Sequence, residues 1–567
     1  MIAIDDADRL LPPPCDLGLP DKFRTWRHFQ DSAIYDIAQS DKRFVMAVLA
    51  TGAGKSAMYM AIAALLHVRT CVLTQSKALM AQLQRDFTPM GLTAVSGMGS
   101  YRCLALEPQG ELFKMFHDPV EAVQRGGRRK GCDEGPCRVG TECSLREGGC
   151  HYYDAVRHAI KEPLVNSNYD YWMFSGKYGR GLGDFGLLVL DEAHSAPEKL
   201  SDFLTVELRP EELKKASCEV PDGQPTWDQW RTWARGHHVR LARKLDELQG
   251  QMKLAKENQQ RVSRSAFEEA HRYQSLLGRL ELVQDVDAQW VAYRDDKTRI
   301  WTFTPAWPAR YAEQALFRDV PKVLLTSATV RPKTAHYLGI PRSELQVLEY
   351  PSVFPKHRRP VYHIPVMGEN GKPIRLSHRT SDADLLAWVA MIDNIIRLRL
   401  DRKGIIHTKS YPRARYILTH SQFAKHMVVH SSDGTKLAIE RFRDAEPPCV
   451  LVSPSVATGY DFPYDDAQFQ IIAKIPFLDS RDPVLQARKE RDPEYDAYQT
   501  MQELVQMCGR IVRSEDDFGE SFVLDSHIEW FLWKHRELAP TWFLDSVQRR
   551  LTIPPAPPKL PRHQAGR

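Results

Sequence analysis

The sequence predicts an α/β protein with two parallel-sheet domains, the first interrupted by a cysteine-rich segment and by an all-helical segment. Three observations carry this. Short, wholly apolar runs alternate with amphipathic stretches on both sides of residue 350, the pattern of a sheet covered on both faces. Residues 99–150 are rich in Gly, Arg and Cys and have no sustained period, whereas residues 227–286 are long, charged and poor in Gly and Pro. At 567 residues the chain exceeds what one hydrophobic core organises.

The first domain opens with an irregular lead-in over residues 1–22, then a segment at 23–39 that reads as helix and carries Arg27 and Gln30. These two are candidates for reading an adenine edge. Next comes Val-Met-Ala-Val-Leu-Ala-Thr-Gly-Ala-Gly-Lys-Ser at 45–56, an apolar strand entering a glycine turn and a helix over 57–66. Backbone N–H groups of such a turn, from Thr51, Gly52, Ala53 and Gly54, face phosphates; Lys55 reaches the β- and γ-phosphates, and the Ser56 hydroxyl ligates Mg²⁺. Ala50 stands where the pattern ordinarily has its first glycine. A strand at 70–74 and a helix at 78–87 continue the alternation. The run at 185–190 ends in Asp191 and Glu192, placing two carboxylates at the C-terminal edge of a buried strand. Asp191 then suits Mg²⁺, and Glu192 suits orienting and deprotonating a water. A further buried strand, 323–329, closes with Ser327, Ala328 and Thr329.

Five cysteines, Cys103, Cys132, Cys137, Cys143 and Cys150, crowd the first interruption. A segment without its own core can be folded by a metal. The C-x4-C-x5-C-x6-C spacing from Cys132 is wider than zinc knuckles prefer and leaves an iron–sulfur cluster and a zinc ion both open. Arg125, Arg128, Arg129 and Lys130 lie beside it as candidate phosphate contacts. In the second interruption Leu241, Leu245 and Leu248 form one apolar stripe, which predicts an antiparallel helix pair. Strand-like sequence returns at 290–304.

A proline-marked linker at 350–359 precedes the second domain: helix 383–400, strand 404–407, a helix from 412, and strands 449–453 and 470–474. Gly459 and Asp461 follow the fourth of these elements. The helix 495–508 carries Gln506 and runs into Arg510 and Arg513, placed to supply charge to a γ-phosphate held by the other domain. The tail from Pro554 is proline-rich and basic and is expected to be disordered.

In order, Arg27/Gln30, residues 50–56, 74–77, the Asp-Glu-Ala-His of 191–194, the Ser-Ala-Thr of 327–329, residues 404–410 and 453–461, and the Gln-x-x-Gly-Arg-x-x-Arg of 506–513 resemble the motif series of superfamily 2 helicases of the XPD/DinG type. The resemblance implies two RecA-like motor domains, the first spanning 1–102, 151–204 and 288–350 and the second 351–553. It implies a [4Fe–4S] cluster domain at 103–150, a helical arch at 205–287 and a tail at 554–567. It implies Cys103, Cys137, Cys143 and Cys150 as cluster ligands, with Cys132 as an alternate. Lys55, Asp191, Glu192, Arg510 and Arg513 are then catalytic, and ATP and Mg²⁺ are bound by the segments above together with Gly459, Asp461 and Gln506. The implied activity is ATP-driven translocation, 5′ to 3′, on single-stranded DNA, with unwinding of forked duplex in repair, replication or recombination by a monomeric motor. Ser76, Lys77, Ser410 and Tyr411 are candidate strand contacts, and Tyr169, Tyr171 and Trp172 candidate stacking platforms.

A different class also satisfies the residues: a DNA-stimulated ATPase that remodels or clamps nucleic acid without separating strands, its cysteines holding structural zinc. A net charge of +5 permits nucleic-acid binding without arguing for it. No apolar run reaches membrane-span length, and the first residues, with Asp5, Asp6 and Asp8, lack a basic-then-apolar leader, so the expected location is cytoplasmic.

Overall fold

The computed structural model describes residues 11–107, 130–140, 143–178, 181–258, 260, 263–431, 434–456, 460–512 and 517–558. Two seven-stranded sheets, each parallel throughout, organise the chain as two RecA-like domains. The first orders its strands Leu345–Glu349, Phe44–Val48, Lys322–Ser327, Leu187–Asp191, Thr70–Thr74, Leu164–Asn168 and Leu92–Ala94. Its central strands are apolar on both faces because helices cover both: Phe44, Met46 and Val48 enter one core, and Val45, Ala47 and Leu49 the other. Register then fixes the functional edge. Val48 pairs with Ser327 and Asp191 with Thr326, so the phosphate loop, the two carboxylates and the Ser-Ala-Thr segment leave neighbouring strands side by side.

The second sheet runs Met427–Val428, Cys449–Ser453, Lys403–His407, Phe469–Ile472, Glu520–Val523, Val361–His363 and Val547–Arg549. Gly404 is required in it, since a Cβ there would lie 2.2 Å from the Phe469 ring. The helices Trp227–Glu257 and Arg264–Val283 form the expected pair, with Leu241 and Leu245 buried against Ala270, Tyr273 and Leu276. At their base lies a small antiparallel sheet of Val206–Leu208, Trp301–Pro305 and Trp290–Arg294. The helix pair also touches the cysteine segment: Gln249 Nε2 donates to the Val139 carbonyl at 2.9 Å.

Several elements depart from expectation. The helix expected over 23–39 begins only at Gln30 because Phe29, at φ 66°, turns the preceding residues onto the phosphate loop. The stretch 290–304 is a hairpin, its turn held by Asp295 Oδ1 accepting from the N–H groups of Lys297 and Thr298. The tail, expected to be disordered from Pro554, is held over its first residues: the carbonyls of Pro554 and Pro557 accept from Arg399 and Arg402 at 3.1 and 3.0 Å, and residues 559–567 lie outside those described.

Candidate nucleotide site and cysteine cluster

The phosphate loop has the backbone its glycines allow. Gly52 and Gly54 sit at φ 78° and 77°, left-handed values that a side chain disfavours, and the helix Lys55–Leu66 starts directly behind them. Gln30 and Arg27 brace this turn from beneath: Gln30 Nε2 donates to the Ala53 carbonyl at 2.8 Å, and Arg27 Nη1 to the Gly52 carbonyl at 2.9 Å. Gln30 Oε1 in turn accepts from the Arg27 N–H at 2.8 Å. Both amide atoms of Gln30 are therefore engaged with the loop and its support. A Cβ on Gly54 would come within 2.4 Å of Gln30 Nε2, so that glycine serves the brace as well as the turn.

Lys55 Nζ lies 3.6 Å from Glu192 Oε1, across the volume that phosphates would take. Glu192 has a left-handed backbone, φ 51°, which aims its carboxylate back over the strand ends. Its Oε2 accepts from Ser327 Oγ at 3.0 Å and lies 3.3 Å from His194 Nδ1, while His194 Nδ1 and Ser327 Oγ are 2.8 Å apart. Burial pushes the Glu192 carboxyl up, but Lys55, His194 and Ser327 together outweigh it and hold the group well below the usual range. Asp191, 3% exposed, has the opposite environment. Burial and the Glu192 charge push it up to about 7, against weaker help from Lys55 and from the Glu192 N–H. Two adjacent carboxyls thus differ in proton affinity, as separate roles require.

The second sheet contributes from the helix Tyr495–Cys508. Gln506 Nε2 lies 3.4 Å from Glu192 Oε2 and 3.3 Å from Thr329 Oγ1, and Gln506 Oε1 accepts from Arg510 Nη2 at 3.1 Å. Arg510 Nη1 reaches Asp461 Oδ1 at 3.2 Å. A polar relay therefore runs from Lys55 through Glu192 and Gln506 to Arg510 and Asp461, crossing from one sheet to the other. Gly509 fits closely against Thr51, whose Oγ1 would be 2.7 Å from an added Cβ. Ser56 is the second residue of the helix behind the loop. Gly459 and Arg513, expected to share this site, lie outside the described residues, as do Arg125, Arg128 and Arg129.

All five cysteines of the first interruption converge, and none is in a disulfide. Cys132, the alternate by spacing, is buried with Cys103 in a small group against which Cys143 and Cys150 pack, and its Sγ donates to the Arg102 carbonyl at 3.4 Å. Cys137 contacts Cys143. The Cys132 contact lowers the Cys103 thiol to about 7, while burial and thiol neighbours raise Cys132 and bring Cys137 to about 12. Sharing of protons among crowded thiols is what a soft metal relieves; among the described residues no three of these sulfurs lie within 4.8 Å of one another, so they would have to close in to hold a single zinc ion, whereas an iron–sulfur cluster spaces its ligands more widely.

Tyr169, Tyr171 and Trp172 are buried, which removes them as base-stacking platforms. Tyr169 Oη donates to the Asp191 carbonyl at 2.9 Å and Trp172 Nε1 to the Leu316 carbonyl at 2.7 Å, so they support the site from behind. Sequence reasoning read His194 and Thr329 only as members of the motif series; the structure shows them joining Glu192 to Ser327 and Gln506. Sequence reasoning missed Lys333, Tyr337 and Asp492, a second contact between the domains, for which the sequence holds no local signal.

The sequence from 402 to 543 matches the family model described as helicase C-terminal domain, and residues 24–109 match that of the type III restriction enzyme res subunit. No curated protein matches. Among solved structures, an XPD helicase superposes with a TM-score of 0.57 at 15% identity, over 92% of this chain and 98% of that one. An apo XPD gives 0.55 at 14% over 92% and 99%. Xpd4 of S. tokodaii gives 0.55 at 12% over 92% and 100%.

Proposed function

We propose that this chain is an ATP-dependent helicase of superfamily 2, a reading supported by the two family-model matches and by the fold it shares with XPD helicases, and that it translocates 5′ to 3′ on single-stranded DNA, unwinds forked duplex and serves DNA repair, replication or recombination. The observation that carries the reading is the relay joining Lys55, Glu192, Gln506, Arg510 and Asp461 across the two sheets. A group bound on the phosphate loop must displace Lys55 from Glu192, and that change is passed to the second domain through one glutamine. Lys55 then holds the terminal phosphates, and Glu192, kept ionised, accepts the proton of the attacking water while Ser327 and His194 fix its orientation. Arg510 meets the charge that develops on the γ-phosphate. Ser56 and Asp191 would hold Mg²⁺, which when bound neutralises phosphate charge. Opening and closing of the domains about this contact steps a strand lying across both.

Exposed Tyr411, Trp530 and Trp533, the last 81% exposed, give stacking surfaces on the second domain. Nearby, Lys372, Arg375 and Arg379 line a cleft of about 710 Å³. In the first domain Cys103, Cys132 and Cys150, with Cys137 or Cys143, would hold the cluster, giving the module the core its sequence lacks. The deciding experiment is strand separation on a forked duplex alongside ATP hydrolysis with and without single-stranded DNA. DNA-stimulated hydrolysis with strand release supports the reading. Stimulated hydrolysis without release replaces it with a remodelling ATPase. Iron, sulfide and zinc analysis of anaerobic protein decides what the cysteines hold.

A further inference from the structure

Away from the nucleotide cleft, where the second domain meets the first, three side chains converge that the helicase reaction does not use. Glu494 immediately precedes the Tyr495–Cys508 helix, His535 follows the helix His527–Lys534, and Glu537 lies in the next turn, Arg536–Leu538. One ligating atom from each falls within 4.8 Å of the others. His535 is only 6% exposed, edge-on to Trp530 and tilted against Phe531, and its Nδ1 is buried without a hydrogen-bond partner. That nitrogen faces Glu494 Oε1 at 3.7 Å, too far for a hydrogen bond. A buried imidazole nitrogen left unsatisfied beside two carboxylates costs free energy that a cation would recover.

We propose that Glu494, His535 and Glu537 bind a divalent transition-metal ion of the zinc class, separate from both the nucleotide Mg²⁺ and the cysteine cluster. Imidazole nitrogen with two carboxylates suits zinc, and water completes the shell. Metal–ligand bonds of about 2.0–2.2 Å put neighbouring ligand atoms roughly 3.3 Å apart, so the site tightens on binding. Glu537 is exposed and free to swing inward; Glu494 is partly open to solvent, which gives the ion its entry. Glu494 also makes the site sensitive to domain position. Its Oε1 faces His535, whereas its Oε2 is 3.1 Å from Lys333 Nζ of the first domain. The ion and Lys333 compete for one carboxylate's charge, so metal occupancy weakens this contact between the domains, and separating the domains strengthens metal binding.

The test is Zn²⁺ titration by calorimetry on the full chain with its cysteine site already filled. Wild type should take up one further equivalent with micromolar affinity, weakened at least tenfold in Glu537→Gln, whose exposed side chain is not needed for folding, and in His535→Gln. Lys333→Ala should bind several-fold tighter. No further equivalent in wild type, or the same isotherm in wild type and Glu537→Gln, overturns the site; an unchanged affinity in Lys333→Ala overturns its coupling to the domain contact.

Discussion

The nucleotide cleft and the cysteine module solve the same problem, holding several ionisable groups close together, by opposite means. In the cleft each group is positioned by strand ends that two doubly covered sheets fix independently of any ligand, and Val48, Asp191 and their partners Ser327 and Thr326 are in register before anything binds. The module has short 3₁₀ turns and a small buried group of Cys103, Ala105 and Cys132. Preorganisation in the first region comes from the fold; the second has little core of its own, so there it would have to come from a metal held by the thiols. A substitution should therefore remove function from the cleft and leave its structure, but remove structure from the module.

Two variants break the comparison most directly. Cys132→Ser should abolish metal retention and open residues 103–150 to limited proteolysis, with the two domains still resistant; an intact, metal-loaded module would show that Cys132 is dispensable. Lys55→Ala or Glu192→Gln should lower ATP turnover by roughly 10³-fold while thermal unfolding stays where it is in wild type. Near-normal steady-state rates in either would remove these residues from the chemistry. Arg510→Ala should follow, with kcat down about 10²-fold and fluorescent-nucleotide affinity little changed, because its guanidinium meets charge that appears only during reaction. Equal losses in affinity and kcat would make it a binding residue instead.

How far the sequence reveals each region follows from the same contrast. The strands Thr70–Thr74 and Cys449–Ser453 and the helix Tyr495–Cys508 have the bounds their residues suggest, since apolar runs buried on both faces leave one reading open. The strand Leu164–Asn168 was not legible: its Asn166 and Ser167 look like a loop, and they are accommodated because their side chains donate to the carbonyls of Met80 and Val95. Likewise Glu520 opens a buried strand because Arg399, far away in sequence, makes a two-pronged ion pair with it at 2.8 Å. In the site, residues set by one strand end were readable. The pairing of Gln506 with Glu192, and the burial of Cys132 with Cys103, depend on tertiary contacts that spacing does not encode.

The carboxyl pair sharpens the comparison with a pH dependence. Asp191, raised to about 7, retains a proton in the folded, metal-free protein that the unfolded chain loses near the ordinary carboxyl range. Between those two values the unfolded chain binds fewer protons, so this group lowers stability as pH rises. Mg²⁺ must displace that proton, so its affinity in the presence of nucleotide should fall about tenfold for each pH unit below about 7. Asp191→Asn should weaken Mg²⁺ binding and flatten the profile. A wild-type affinity independent of pH across this window would show that Asp191 is already ionised without metal.

The smallest effect expected comes from Lys333→Ala, at the contact that joins the domains away from the cleft. Lys333 Nζ lies 2.8 Å from Asp492 Oδ2 and 3.1 Å from Glu494 Oε2, but these side chains are partly exposed, and such pairs contribute about 0.2–1 kcal/mol. Asp492 also keeps the Tyr337 hydroxyl at 2.5 Å when the lysine is gone, so its charge is not left unpaired. The closed arrangement should therefore lose only about 1.4- to 5-fold in population, read as a matching rise in the KM for ATP with kcat unchanged at saturation. This follows because Lys333 touches none of Lys55, Glu192, Gln506 or Arg510, and the catalytic relay forms whenever the domains close. A fall in kcat at saturating ATP would mean that the contact shapes the closed state itself, and that the cleft's preorganisation extends to the Lys333 side of the molecule.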